Sequence, residues 1–259
     1  MSKPFFEVKN ITKYFGGLAA LDDVSFRVEK GEMVALMGPN GSGKSTLLHI
    51  IMGVLKPTSG KVFFKGEDIT QHRTWDIVER GLVGTFQVVR PFRSLPAITN
   101  VMVGAVCPRA TRRGEWVKTL ETRATDAMEF LGISDIALQP ASSLSHGDLK
   151  RLETARALAT DPDMILLDEP FGGLNPSETE LLAKSMRRLH SGGRFGRLHS
   201  EGPTMLIVEH KLSTLLKIVD RVVVLNFGKK IAEGSPEEVS NDKNVIESYI
   251  GTEVTKIAS

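Results

Sequence analysis

Apolar and polar residues alternate along Phe6-Glu7-Val8-Lys9-Asn10-Ile11 and again along Val24-Ser25-Phe26-Arg27-Val28-Glu29. A period of two predicts half-buried strands. Between them Tyr14-Phe15-Gly16-Gly17 predicts a turn. Met33-Val34-Ala35-Leu36-Met37 is continuously apolar and short enough for a buried strand, and Thr46-Leu47-Leu48-His49-Ile50-Ile51-Met52 reads as the first turns of a packed helix. A turn at 57–60, a strand at 61–66, a short helix at 73–80 and a strand-like run at 82–86 follow. From residue 99 to about 159 the pattern is helical. Trp116, Leu120, Ala124, Ala127, Met128 and Leu131 recur at roughly the helical period, and residues 148–159 form another helix, closed by Asp161-Pro162. An α/β pattern then resumes. Strands are predicted at 164–167, 205–208, 222–226 and 229–233. Helices are predicted at 176–189, with proline at the first position, at 212–218 and at 244–250. The glycine-rich polar stretch 191–203 reads as a surface loop.

Composition narrows the picture only a little. The 259 residues allow one or two domains with a large core. A net charge of +2 is too balanced to argue for nucleic acid or an anionic membrane surface. The single cysteine, Cys107, excludes an internal disulfide and suits a reducing compartment. The N-terminus shows no apolar core of a secretory signal, and no run approaches 18 consecutive apolar residues, so any membrane role is expected to come through a partner.

The strongest chemical signal is Gly38-Pro39-Asn40-Gly41-Ser42-Gly43-Lys44-Ser45, which fits the phosphate-binding P-loop, G-x-x-x-x-G-K-[ST]. It stands between a predicted strand and a predicted helix, the context the motif requires. Glycines let the backbone curl until its N–H groups face an anion, and the helix N-terminus adds unpaired donors. Lys44 supplies a positive charge for the β- and γ-phosphates, and Ser45 a hydroxyl for Mg²⁺. Residues Gly38, Pro39, Asn40, Gly41, Ser42, Gly43, Lys44, Ser45 and Thr46 make up the expected nucleotide cradle.

Two further segments complete it. Ile165-Leu166-Leu167-Asp168-Glu169 is an apolar strand ending in two acids. Asp168 is placed to hold Mg²⁺, and Glu169 to orient or deprotonate the attacking water. Leu144-Ser145-His146-Gly147-Asp148 precedes a helix. Ser145 reads as an N-cap with Asp148 at N3, and a Ser-x-Gly start is also an anion site.

Over essentially its whole length the chain resembles the nucleotide-binding subunit of an ABC transporter. The P-loop, Leu144 to Asp148 at the family's LSGGQ signature, and Leu166-Leu167-Asp168-Glu169-Pro170 occur in the family's order. The resemblance implies an α/β fold: a P-loop NTPase core of mixed sheet and flanking helices, an antiparallel β part and an inserted α-helical subdomain. It implies a single nucleotide-binding domain, with core residues 1–88 and 160–259 and a helical signature subdomain at 89–159. It also implies Tyr14 stacking on adenine, Gln87 near Mg²⁺ and the transmembrane partner, Gly173-Leu174-Asn175 as the D-loop, and His210 contacting the γ-phosphate. Ser145 and Gly147 would complete the ATP site of a facing subunit. Two departures stand out. His146 and Asp148 replace glycine and glutamine in the signature, and Asn175 replaces the usual aspartate. An acid near the partner's γ-phosphate should cost affinity unless it points away.

Residues 83–92, Val208-Glu209-His210 and the ending Val245-Ile246-Glu247-Ser248-Tyr249-Ile250-Gly251 look like the branched-chain amino acid importer subfamily, in particular the longer of its two ATPase subunits. The resemblance implies Mg²⁺-dependent ATP hydrolysis. The chain would work as a dimer, with a heterodimer favoured, docked on permease subunits at the cytoplasmic face of the cell membrane, and a solute-binding protein would be an indirect partner. Urea and short-amide importers, the lipopolysaccharide-export ATPase and soluble ABC ATPases are the alternatives.

Overall fold

In the computed structural model of the chain, residues 4–107, 117–190, 202–209 and 215–249 are described. Strands run in the order β1 (Phe6–Phe15), β2 (Leu18–Val28), β3 (Met33–Met37), β4 (Ser59–Phe64), β5 (Glu67–Asp68), β6 (Leu82–Gly84), β7 (Met164–Asp168), β8 (Thr204–Val208), β9 (Arg221–Asn226) and β10 (Lys229–Gly234). The helices are α1 (Lys44–Ile51), α2 (Thr74–Arg80), α3 (Ala97–Ala105), α4 (Val117–Phe130), α5 (His146–Leu158), α6 (Pro176–His190) and α7 (Pro236–Ser240). A last helical stretch covers 243–249. The chain forms two compact units, Met1–Thr74 with Leu206–Ser259, and Trp75–Met205.

The first unit holds an antiparallel sheet of order β2-β1-β4-β5 and a mixed sheet of order β10-β9-β3-β8, entering β8 through residues 206–208. In the mixed sheet β9 runs parallel to β3 and antiparallel to β10. All five residues of β3 are buried, as its unbroken apolar run requires. One expectation is corrected here. Tyr14 and Phe15 belong to β1 rather than to a turn, and the reversal is confined to Gly16-Gly17. The alternation breaks after Ile11 because β1 is bulged: its register with β2 shifts three times between Val8 and Tyr14, and Asn10 takes φ +51°. Each bulge slips the side-chain alternation by one residue, so the strand continues where its pattern stops. Helix α7 was not expected. Its signal is Ser235-Pro236-Glu237-Glu238, a capping box in which Ser235 and Glu238 satisfy each other's backbone N–H.

In the second unit β6 and β7 pair in parallel, and α3 packs on α4 and α5. A Cβ on Gly104 would lie 2.1 Å from the Arg156 carbonyl oxygen, so α3 and α5 approach this closely only over a glycine. Asn100, fully buried, accepts from the Phe92 N–H and donates to the Phe92, Leu95 and Pro96 carbonyls. One amide thereby anchors the irregular chain between Gln87 and α3.

Candidate nucleotide-binding and catalytic site

The P-loop leaves β3 at Gly38, which has φ +148°. A Cβ there would lie 2.1 Å from the Leu225 carbonyl oxygen, and one on Gly43 (φ +103°) would lie 2.6 Å from that of Ala20. Both positions require glycine on conformation and on space. Gly43 is the N-cap of α1 and offers no side-chain cap, and the first turn carries no acid. The helix therefore keeps its N-terminal N–H groups and positive dipole end for an outside anion. Ser45 and Thr46 stand in that first turn. Lys44 is only 6% exposed. Its Nζ arches back over the loop, donating to the Gly38 and Pro39 carbonyls at 2.8 and 2.9 Å. Tyr14, at the end of β1, is 47% exposed, and its N–H donates to Thr58 Oγ1.

In the other unit Asp168, 4% exposed, closes the fully buried strand β7. Its N–H donates to Thr85 Oγ1 at 3.2 Å, tying the strand to the segment that carries Gln87. Glu169 follows at φ +47°. For a side chain larger than glycine that conformation costs on the order of 1–3 kcal/mol and persists only where neighbours hold it. One such neighbour is Gln87, whose Nε2 donates to Glu169 Oε2 at 2.9 Å. Two of the expected site residues, 82 positions apart, are thus in direct contact. His210 lies outside the described residues, as do 191–201 of the expected surface loop.

The signature segment resolves the question its acid raised. Ser145 caps α5, accepting from the Asp148 N–H at 3.1 Å and donating its hydroxyl to Asp148 Oδ2 at 2.7 Å. The other carboxylate oxygen of Asp148 accepts from Arg151 Nη2 at 2.6 Å, and Arg151 also donates to the Gly132 carbonyl. The charge that replaces the usual glutamine is therefore neutralised within its own helix. His146 contacts the Gly172 carbonyl through Nε2 at 3.2 Å, and a Cβ on Gly173 would lie 2.8 Å from its ring. Gly147 packs against Glu178, whose carboxylate a Cβ at that position would meet at 2.5 Å. Asn175 is the N-cap of α6: its Oδ1 accepts from the Glu178 N–H, and Glu178 Oε2 accepts from the Asn175 N–H. An asparagine caps as well as an aspartate, which accounts for the second departure.

Arg151→Ala is expected to lower stability by about 1–3 kcal/mol, because it strands a charge-assisted hydrogen bond. Adding Asp148→Asn should recover most of the loss, since no charge is then left alone. Thermal denaturation of the four proteins of that cycle measures it, and simple additivity would show that the pair does not interact.

Residues 21–172 match the family model described as ABC transporter, and residues 229–255 match that of the branched-chain amino acid ATP-binding cassette transporter. The chain belongs to the ABC transporter ATP-binding family. It is 36% identical over 261 residues to the probable branched-chain amino acid transport ATP-binding protein LivG of Archaeoglobus fulgidus, covering 97% of each chain. To the high-affinity branched-chain amino acid transport ATP-binding protein BraF of Pseudomonas aeruginosa it is 34% identical over 263 residues, covering 97% of this chain and 99% of that one. Among solved structures, an ABC transporter ATP-binding cassette in its ADP conformation superposes with a TM-score of 0.82 at 35% identity, over 96% of this chain and 99% of that one. A dimeric cassette in a post-hydrolysis state, bound to ADP and Pi, superposes with a TM-score of 0.77 at 28% identity, over 89% of this chain and 98% of that one. The cassette is thus an ATP-binding ATPase subunit of the transporter class, with the α/β fold its sequence implied.

Sequence reasoning missed two charged residues of the cassette, Lys150 and Glu153. They sit three apart on α5, and both are buried. The spacing was visible as a shared helix face, but charged residues normally mark a solvated one.

Proposed function

We propose that this cassette hydrolyses ATP to drive import of branched-chain or related amino acids. The observation that carries the reading is likeness along the whole chain to LivG and BraF, with the branched-chain amino acid cassette model matching the C-terminal residues 229–255. In this reading Lys44 and the backbone N–H groups that the loop and the first turn of α1 leave unpaired hold the phosphates, and Tyr14 stacks on adenine. Ser45, Gln87 and Asp168 place Mg²⁺, which when bound neutralises charge on the β- and γ-oxygens. Their oxygens are the hard donors that ion takes. Glu169 orients and deprotonates the attacking water, and His210 contacts the γ-phosphate. Ser145 and Gly147 complete the site of a facing ATPase subunit in a heterodimer.

Among the described residues no helix is long and apolar enough to cross a membrane. By likeness to the transport ATP-binding proteins, the cassette in this reading sits peripherally on the cytoplasmic face, docked on permease subunits that a solute-binding protein supplies. Reconstitution with those partners in proteoliposomes tests the reading. Leucine, isoleucine and valine should accelerate ATP hydrolysis and enter the vesicles. Acceleration by urea alone would overturn the substrate class, and no ATP turnover in the complete assembly would overturn the reading itself.

A further inference from the structure

Helix α5 carries, two residues after the signature, a lysine to which the reading above gives no role. Lys150 is 4% exposed. Its Nζ donates to the Gln87 carbonyl at 2.8 Å and to the Glu169 carbonyl at 3.2 Å. Those are the two residues whose side chains already meet, Gln87 Nε2 to Glu169 Oε2. One ammonium group therefore joins the main chains of a pair that is also joined through its side chains. Neither carbonyl lies in a helix or strand, so no regular ladder holds it. Glu169 sits at φ +47° and needs outside support, and its carbonyl receives the Gly172 N–H at 3.1 Å besides Lys150.

A buried cation is costly unless paired and hydrogen-bonded. Glu153, 6% exposed and one turn further along α5, supplies the balancing carboxyl. It accepts from the Phe86 N–H at 3.5 Å, the residue just before Gln87, and stands 3.9 Å from Arg156. Burial pushes its carboxyl above the usual range, while the amide of Phe86 and the cations Arg156 and Lys150 pull it back. The lysine and the glutamate together brace residues 86–87 from the helix that the signature opens.

We propose that Lys150 is a positioning residue for ATP hydrolysis. It sets the backbones of Glu169 and Gln87 against each other, so that the place of the glutamine segment fixes the place of the carboxylate. Catalytic geometry tolerates little displacement: a shift of about 1 Å can cost about 10²-fold in rate. The inference rests on the reading of Glu169 and Gln87 as groups acting on water and Mg²⁺.

The experiment measures kcat, KM for ATP, ATP Kd and thermal stability in the assembled transporter for Lys150→Met, Lys150→Met/Glu153→Gln and Lys150→Arg. The double variant removes the buried charges as a pair and so protects the fold. Lys150→Arg keeps the charge and the fold while displacing the donor. In both methionine variants kcat is expected to fall by about tenfold to 10²-fold, with ATP Kd and KM within about twofold of native. In Lys150→Arg kcat falls about threefold or more at unchanged Kd. A native kcat in whichever of these variants folds overturns the proposal, as does a loss that appears in Kd and KM alone. Glu169→Gln measured alongside separates the two levels of argument. If it hydrolyses ATP at the native rate, the catalytic reading fails; if it is inactive while the double variant is native, only the role of Lys150 fails.

Discussion

Glu169→Gln is expected to lower ATP turnover by about 10²-fold or more while leaving ATP binding intact. The exchange keeps the size and planarity of the group and removes its charge and its capacity to take a proton. Loss of a general base costs about 10²- to 10⁴-fold. Asp168 and the P-loop are untouched by it, so capture of Mg²⁺ and phosphate should persist. The φ of +47° is a backbone property that the new amide shares, and its oxygen can still accept from Gln87 Nε2. Nucleotide should therefore be bound and held, and the cassette should accumulate with its facing subunit in the ATP-closed dimer. Size-exclusion chromatography in ATP, with phosphate release measured in parallel, reads both outcomes. Turnover at the native rate would remove Glu169 from the chemistry, and tight ATP binding with no association would sink the shared-site mechanism.

Lys44→Ala is expected to fail earlier, at binding. The lysine is a buried cation whose Nζ lies within the loop, donating to Gly38 and Pro39 carbonyls. A hydrogen bond to a charged group contributes about 1.5–3 kcal/mol, so ATP affinity should fall roughly tenfold to 10²-fold. A second cost adds to it, since the loop carbonyls lose the donor that keeps the turn curled. Titration with a fluorescent ATP analogue gives the affinity, and the same chromatography should show no ATP-driven dimer. Native affinity in this variant would place the phosphates elsewhere. Taken with Glu169→Gln, it separates capture of the nucleotide from its hydrolysis.

Local chemistry made much of the cassette legible in the sequence alone. The five residues of β3 and the first four of β7 read as buried apolar runs, and the P-loop between strand and helix needed only glycine spacing and one lysine. Such signals act over a few residues, so no tertiary knowledge was needed to see them, and their order along the chain identified the family. The antiparallel β1 escaped in its second half because bulges reset a period that sequence reasoning takes as constant. Asp148 is answered locally, since Arg151 three residues on along the same helix takes its carboxylate. Tertiary structure alone decided how the buried charges further along that helix are disposed. Lys150 and Glu153 looked like solvated helix residues until their partners arrived from segments 63 and 67 positions away. The physical reason is one and the same. Whether a charge is exposed or buried depends on which distant groups saturate it, and that information is carried by the packing of the chain on itself rather than by the residues on either side.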